Sequence, residues 1–359
     1  CTPASTVQRS RRDHGRVTTS PPIVLAGQYG SPYTLKMRGV LRYRHIPFRW
    51  VLRDSKWDDL PEPPVRIIPV IAYPYPDGDG YREVTVDSSP QIMRLETVFG
   101  ERSLVPTDPA LAMIDSLIED FADEWLTKAM YHYRWAYPAD IDKAGKLLPL
   151  SSNLQLDSDG AQHRYDFITR RQIDRRALVG STDWNAPLIE ASYRRVLEAM
   201  QARFATGDFM LGDRPGRGDF GLYGQLTQLV RWDPTSAAVA VEVAPKVVNW
   251  VERMDDLAWL PIGDDGWASL DELDPGMQDL LAEVGRTYAP FMVANAQALA
   301  SGLDEVVCEV DGREYRQAPF GYQGKCLHWL REEYGALAAG DRARVDAVLA
   351  GTGCEQLFR

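Results

Sequence analysis

Four short stretches of strand-like patterning occupy the N-terminal part of the chain. They lie at 23–25, 48–52, 65–72 and 82–86, and they combine apolar runs with alternating apolar and polar positions. A helix is expected to begin at Ser31, between the first two stretches, because Pro32 follows it and proline is favoured in a first helical turn. The order of these elements predicts a small α/β unit.

Apolar residues recur every three or four positions beyond residue 108, which predicts helices. The first of these has Asp108 as its N-cap and Pro109 in its first turn. Its apolar face carries Leu111, Ile114, Ile118, Phe121 and Trp125. Residues 139–184 are polar and irregular, and another long helix is expected over 187–204.

Residues 259–359 have mixed helical and strand patterning. Asp274 is expected to cap a helix that Pro290 kinks and Gly302 ends. The Asp311–Gly312 pair stands between alternating stretches and predicts a β-hairpin. Two further helices are expected at 323–337 and 341–349.

Composition excludes several classes of protein. The chain has 359 residues with 45% apolar and 25% charged side chains, which is typical of a globular protein of two or more domains. A net charge of -11 argues against general nucleic-acid binding. No apolar stretch is long enough to span a membrane, and residues 1–21 are expected to form a disordered tail without a signal peptide. We therefore expect neither a nucleic-acid partner nor a membrane.

The cysteines and histidines provide no recognisable metal or disulfide pattern. The four cysteines are scattered, which favours a reducing, cytoplasmic location over a disulfide framework. The five histidines lack metal-ligand spacing, so no metal site is expected.

Two helix starts are candidates for ligand binding. Ser31–Pro32 and the later Asp87–Pro90 stretch each follow a predicted strand. A helix N-terminus exposes backbone N–H groups and the positive end of the helix dipole. Two such N-termini therefore suit a ligand with two negatively charged groups. The alternative is that Ser31 only caps its own helix, as most such serines do.

Three motifs together resemble the thioredoxin-like N-terminal domain of the glutathione S-transferase superfamily. They are Gly30 to Arg38, Ile68-Pro69-Val70 and Asp87 to Ile92, in this order along the chain. The resemblance implies a cis bond before Pro69 and pairing of the Ile68 backbone with the cysteinyl part of glutathione. It also implies that Asp87 and Ser88 hold the γ-glutamyl end, and that Ser31 faces the sulfur as in serine-type members.

The resemblance extends to the overall organisation of the chain. It implies a thioredoxin-like glutathione-binding domain over 22–102 and an all-α domain over 109–258, followed by an α+β appendage over 259–359. In the helical domain Gly216 replaces the usual capping Ser or Thr, and Asp219 reaches back to the free N–H groups as a folding residue. The appendage has no counterpart in the superfamily, and the sequence gives it no role.

The function implied is that of a cytoplasmic, homodimeric glutathione transferase. Glutathione is the co-substrate, and its thiolate attacks a small apolar electrophile. Tyr29, Tyr33, Trp125 and Tyr133 are candidates for the co-substrate pocket, although the aromatic cluster that follows Trp125 also suits simple core packing. Two alternatives remain open: a non-catalytic binding or assembly module, and a glutathione-dependent isomerase or dehalogenase.

Overall fold

The computed structural model describes residues 21–261, 263 and 266–359. The disordered tail predicted for residues 1–21 therefore lies outside the described residues, apart from its last position.

The N-terminal domain contains a four-stranded mixed sheet in the order β2-β1-β3-β4. Strands β1 and β2 are parallel, whereas β3 is antiparallel to both β1 and β4. The strands are β1 (Ile23–Gly27), β2 (Phe48–Leu52), β3 (Val70–Pro74) and β4 (Tyr81–Val86). The helices are α1 (Pro32–Tyr43) and α2 (Ser88–Val98). This arrangement confirms the predicted α/β domain.

The third predicted strand is shorter than its apolar run. The run begins at 65, but β3 begins only at Val70, after a cis peptide bond between Ile68 and Pro69. Proline has no N–H to donate to a sheet, so it stands at the strand start and not within it. The cis bond implied by the resemblance is confirmed.

The second domain is helical and includes two π-helical turns, at Ala122–Leu126 and Thr227–Trp232. Its helices are α3 (Pro109–Phe121), α4 (Thr127–Ala136), α5 (Pro138–Leu147), α6 (Ser158–Asp174), α7 (Ala186–Arg203), α8 (Arg217–Leu226), α9 (Pro234–Val243) and α10 (Pro245–Met254). The prediction of irregular structure over 139–184 was wrong, because α5 and α6 lie there. Both helices are mostly exposed and polar, so their sequences lack a long apolar stripe.

The capping interaction predicted at the start of α8 is confirmed. The backbone N–H of Gly216 donates to Asp219 Oδ2 at 3.0 Å, and that of Met210 donates to Asp219 Oδ1 at 2.9 Å. A Cβ at Gly216 would lie 2.4 Å from an oxygen of Asp115. The glycine at this cap is therefore required by the neighbouring helix α3, and Asp219 is a folding residue.

The remaining elements form the predicted appendage. They are α11 (Pro275–Glu283), α12 (Ala289–Ser301), β5 (Val306–Val310), β6 (Arg313–Gln317), α13 (Gly321–Ala336) and α14 (Ala339–Leu349). Asp274 caps α11, Gly302 ends α12 with φ 63°, and Asp311–Gly312 forms the hairpin turn, as predicted. The expected kink near Pro290 coincides with a π-helical turn at Val284–Tyr288.

The appendage packs on the first helix of the helical domain. Both α13 and α14 contact α3, and the Arg344 guanidinium binds the Asp108 carboxylate through two bonds of 2.9 and 2.6 Å. Tyr315 of β6 is fully buried between Trp125 and Phe291. Among the described residues, no helix has the length and apolarity needed to cross a bilayer.

Candidate functional site

A cavity of about 1060 Å³ lies where the sheet domain, helices α3 and α4, and the appendage helix α13 meet. One wall comes from the N-terminal domain and includes every residue predicted to bind glutathione or its sulfur. Those residues are Ser31, Ile68, Pro69, Asp87 and Ser88. Motifs far apart in the sequence thus converge on one cavity.

Ser31 lies at the N-terminus of α1 and is 8% exposed. Its Oγ accepts a hydrogen bond from the Thr34 backbone N–H at 3.3 Å, so it caps its own helix. Capping uses Oγ as an acceptor and leaves the hydroxyl hydrogen available for donation to a ligand. The capping role and a ligand-binding role are therefore compatible.

The loop before Ser31 is fixed by the helical domain. Arg134 of α4 donates to the Gly30 carbonyl at 2.7 Å and binds the buried Asp233 carboxylate at 2.9 Å. Gln228 donates to the Tyr29 carbonyl at 3.2 Å. The position of the α1 N-terminus is thus set by contacts between the two domains.

Asp87 contacts the appendage directly. Its backbone has φ 77°, and its side chain does not cap α2. Instead, the Tyr322 hydroxyl of α13 donates to Asp87 Oδ2 at 2.6 Å. The other carboxylate oxygen, Oδ1, is left for a further donor.

A buried ionic cluster lies behind Ser88. Lys36 of α1 is fully buried and donates to Glu119 at 2.7 Å and to Asp123 at 2.5 Å. Its Nζ also donates to Ser88 Oγ at 3.3 Å. Burial lowers the pKa of Lys36, but the charges of Asp123 and Glu119 together raise it above the usual value. Lys36 is therefore a buried cation that links α1 to α3.

Of the four residues predicted for the co-substrate pocket, the structure places only Tyr33 in the cavity wall. Tyr33 lines the cavity and donates to the Asp123 carbonyl at 2.8 Å. Tyr29 is 47% exposed and packs on Trp50, outside the cavity. Trp125 and Tyr133 are also absent from the cavity wall, being buried in the core at 2% and 3% exposure.

The helical register explains this outcome. Trp125 donates to Ser192 Oγ of α7 at 2.9 Å, and Tyr133 stacks on Tyr137. The neighbouring Tyr131 and Trp135 line the cavity instead. Residues two positions apart on a helix point in very different directions, so the aromatic cluster divides between core and cavity.

The wall opposite the N-terminal domain was not predicted from the sequence. Helix α13 contributes apolar and polar side chains, and α3 with its following π-helical turn contributes carboxylates. The α13 side is formed by Tyr322, Gln323, Cys326, Trp329, Leu330 and Glu333. The α3 side includes Glu119, Asp120, Asp123 and Glu124. The sequence feature that indicates this wall is the group of acidic residues over 119–124 within an otherwise apolar helix.

Burial governs the electrostatics of this second wall. Burial, and then the charge of Glu124, raises the pKa of Asp120 well above its usual value, and burial raises the pKa of Glu124 to about 7. Burial also lowers the pKa of Lys128 to about 7. The charged and neutral forms of Glu124 and Lys128 are thus close in free energy near pH 7.

The sequence profile described as glutathione S-transferase, C-terminal domain, matches residues 170–253. The matched segment lies inside the region 109–258 that was predicted to be helical. No curated protein gives a significant match. The profile match supports the superfamily resemblance over residues 170–253. The observed N-terminal α/β domain followed by a helical domain confirms the predicted fold class.

Several solved structures are similar over part of the chain. The β-etherase LigF from Sphingobium sp. strain SYK-6 is 16% identical, with 72% of this chain and 98% of that chain covered and a TM-score of 0.43. A GST-like protein from Pseudomonas syringae is 14% identical, with 65% and 66% covered and a TM-score of 0.41. A Methylobacterium radiotolerans glutathione S-transferase in complex with glutathione sulfonate is 19% identical, with 68% and 99% covered and a TM-score of 0.36.

Proposed function

We propose that this chain is a member of the glutathione S-transferase superfamily, binds glutathione in the described cavity and stabilises its thiolate with the Ser31 hydroxyl. The observation that supports the proposal best is the convergence of Ser31, Pro69, Asp87 and Ser88 on one cavity. In this proposal the Ile68 backbone pairs with the cysteinyl part, and the second helix start receives the γ-glutamyl end.

The helix starts offer suitable partners for an anionic tripeptide. Free backbone N–H groups at the α2 N-terminus attract a carboxylate, and the Asp87 side chain attracts the γ-glutamyl ammonium. Asp87 Oδ2 already accepts the Tyr322 hydroxyl, so the ammonium binds at Oδ1. Ser88 is held by Lys36 and contributes its hydroxyl hydrogen.

The energy required for thiolate formation is modest. A thiol with a pKa near 8.5 is about 3% ionised at pH 7, and lowering its pKa by roughly 1.5 units ionises about half of it. This change corresponds to about 2 kcal/mol. One hydroxyl hydrogen bond to a charged sulfur, together with a helix N-terminus, supplies an interaction of this size.

The rest of the cavity suits an apolar co-substrate. Side chains of α4 and α13, and of Phe320 immediately before α13, contribute apolar surface beyond the thiol position. They include Met130, Tyr131, Trp135, Phe320, Trp329 and Leu330. In the proposed reaction the thiol proton is released to solvent and the glutathione thiolate attacks an electrophilic carbon held against this surface. As the C–S bond forms, a leaving group departs with the bonding electron pair, or the pair moves onto the acceptor, which then takes up a proton from solvent. The conjugate leaves through the open side of the cavity. A homodimer remains part of the proposal, and light scattering of the purified protein tests it.

The deciding variant is Ser31→Ala. We expect turnover with a generic aromatic electrophile to fall about 10- to 30-fold, because the thiolate fraction drops from about half to a few per cent. Glutathione affinity, measured by isothermal titration, stays within about threefold. Ser269→Ala is the matched control, since Ser269 also caps a helical turn through its side chain, away from the cavity.

Two results contradict the proposal. Unchanged turnover in Ser31→Ala means that Ser31 does not stabilise the thiolate. Tyr33, which also lines the cavity, is then the next candidate. Failure of the folded wild-type protein to bind either glutathione or an S-alkylated glutathione supports the alternative of a non-catalytic module.

A further inference from the structure

A cluster of oxygen and sulfur atoms lies in the second wall of the cavity, where α3 faces α13. Asp120 and Glu124 each offer a carboxylate oxygen and Cys326 offers its Sγ, and these atoms lie within 4.8 Å of one another. Glu124 and Cys326 are buried, and all three side chains line the cavity. None of them has a part in the proposed thiol chemistry.

These groups come from two segments of helix, and the donors on each segment are three or four positions apart. Asp120 is the penultimate residue of α3, and Glu124 follows four positions later within the π-helical turn Ala122–Leu126. Cys326 lies on α13, three positions after Gln323. Side chains three or four positions apart share a helix face, so each helix directs a pair of donor groups to the space between them.

Gln323 provides an independent observation. It is 4% exposed, and its Nε2 donates to the Glu124 carbonyl at 3.1 Å. Its Oε1 accepts no hydrogen bond from any described residue, although the atom is fully buried. A buried carbonyl oxygen without a donor destabilises the folded protein, so a ligand at this oxygen offsets that cost.

The carboxylates also lack a cationic partner. Among the described residues, neither Asp120 nor Glu124 forms an ion pair within 4.0 Å, and the partner of Asp120 is the Tyr288 hydroxyl at 2.8 Å. Lys36 is engaged by Glu119 and Asp123. Lys128, one turn after Glu124, donates to the Val179 carbonyl and to Gln317 Oε1.

We propose that Asp120, Glu124, Cys326 and the Gln323 side-chain oxygen form a binding site for a divalent transition-metal cation of the Zn²⁺ class. Carboxylate and thiolate are ordinary Zn²⁺ ligands, whereas Ca²⁺ and Mg²⁺ take oxygen ligands alone. Binding releases the thiol proton to solvent, because the metal ligand is the thiolate. The cavity gives the ion a route from solvent, and the site does not depend on glutathione.

Titration of the full-length, metal-free protein with Co²⁺ tests this proposal. A bound Co²⁺ with a thiolate ligand produces a near-ultraviolet sulfur-to-metal charge-transfer band. We expect this band at one equivalent, and we expect Zn²⁺ to abolish it by displacement. Cys326→Ser removes the band, whereas Cys1→Ser, Cys308→Ser and Cys354→Ser, made separately, keep it.

A second variant separates loss of a ligand from loss of the fold. Asp120→Asn keeps an acceptor for the Tyr288 hydroxyl but removes the charge. We expect Zn²⁺ affinity, measured by competition with a chromogenic chelator, to fall at least about 100-fold. This is more than the loss of a residue that only orients a metal ligand is expected to cause. Circular dichroism confirms that each variant is folded.

Three results overturn the proposal. They are the absence of the band in the wild-type protein, its survival in Cys326→Ser, and unchanged Zn²⁺ affinity in folded Asp120→Asn. None of these readouts involves glutathione or turnover, so their failure is distinct from failure of the proposed transferase activity.

Discussion

The two walls of the cavity are built in different ways. The N-terminal wall consists of short local motifs, namely a helix start at Ser31, the cis bond at Ile68–Pro69 and a second helix start at Asp87. The opposite wall consists of side chains brought together from distant elements, such as Tyr322, which contacts Asp87 across 235 positions of sequence. Local motifs are recognisable in a sequence, whereas a contact between α3 and α13 is a property of the folded chain.

The walls also differ in the groups that they offer. The N-terminal wall offers helix N-termini and a hydroxyl, which suit an anionic ligand. The opposite wall offers carboxylates and a thiol beside aromatic surface. The buried Lys36 lies between them, anchored on α1 and bound to the carboxylates of α3 and its π-helical turn.

Replacement of Lys36 breaks the link between the walls and has the largest expected effect. Lys36→Met leaves the buried Asp123 without its cation and leaves Glu119 with Arg217 at 3.8 Å, and we expect the free energy of unfolding to fall by about 3–5 kcal/mol. Urea denaturation followed by fluorescence measures it. Lys146→Met is the control, since Lys146 forms an exposed pair with Asp142 and its removal is expected to leave the free energy of unfolding nearly unchanged. A loss below about 1 kcal/mol for Lys36→Met means that the cluster is not ionic.

Removal of the Tyr322 hydroxyl tests whether the appendage contributes to ligand binding. Tyr322→Phe frees the Asp87 carboxylate from the bond that orients it, and we expect glutathione to bind about 2- to 10-fold more weakly, which corresponds to the value of one hydrogen bond. Isothermal titration measures the change.

Tyr334→Phe is a closely matched control for Tyr322→Phe. Tyr334 lies on the same helix and its hydroxyl donates to Asp346 at the same distance of 2.6 Å, outside the cavity. We expect it to leave glutathione affinity unchanged. Tighter binding by Tyr322→Phe contradicts the orienting role, because it means that the hydroxyl competes with the ligand.

Replacement of Arg344 has the smallest expected effect. Arg344→Gln removes the ion pair that joins α14 to Asp108, but solvent screens the pair, so we expect only a small fall in the free energy of unfolding. The hydrogen bond that Arg344 donates lowers the pKa of the Asp108 carboxyl. The Arg344–Asp108 ion pair therefore stabilises the folded protein fully above the ordinary Asp pKa of about 3.9. This stabilisation is lost as the pH falls through the lower pKa of Asp108 in the folded state.

The pH dependence of stability checks this last prediction. Thermal unfolding of wild type and Arg344→Gln is compared at pH 7 and below pH 3, and we expect the difference between them to vanish at the lower pH. A difference that persists there means that Arg344 acts through packing and not through its charge.

Much of the N-terminal half was predictable from the sequence because its signals are local. Proline after a capping residue indicated the start of α1, and alternation indicated the strands. Helices α5 and α6 were missed, since their exposed faces carry few apolar residues. Trp125 and Tyr133 were assigned to the cavity together with Tyr29, yet their contacts depend on helix rotation and packing, which composition does not specify.

The sequence by itself determined the strand and helix order of the N-terminal domain, the cis bond before Pro69 implied by the resemblance, and the predicted ligand-binding residues of the N-terminal wall. Each of these depends on interactions within a few neighbouring residues, which the order of side chains specifies directly. Only the tertiary structure decided that α13 closes the cavity, that Tyr322 binds Asp87, and that Cys326 lies beside Asp120 and Glu124. These contacts arise from packing of the appendage on α3, where burial of apolar surface brings distant side chains together.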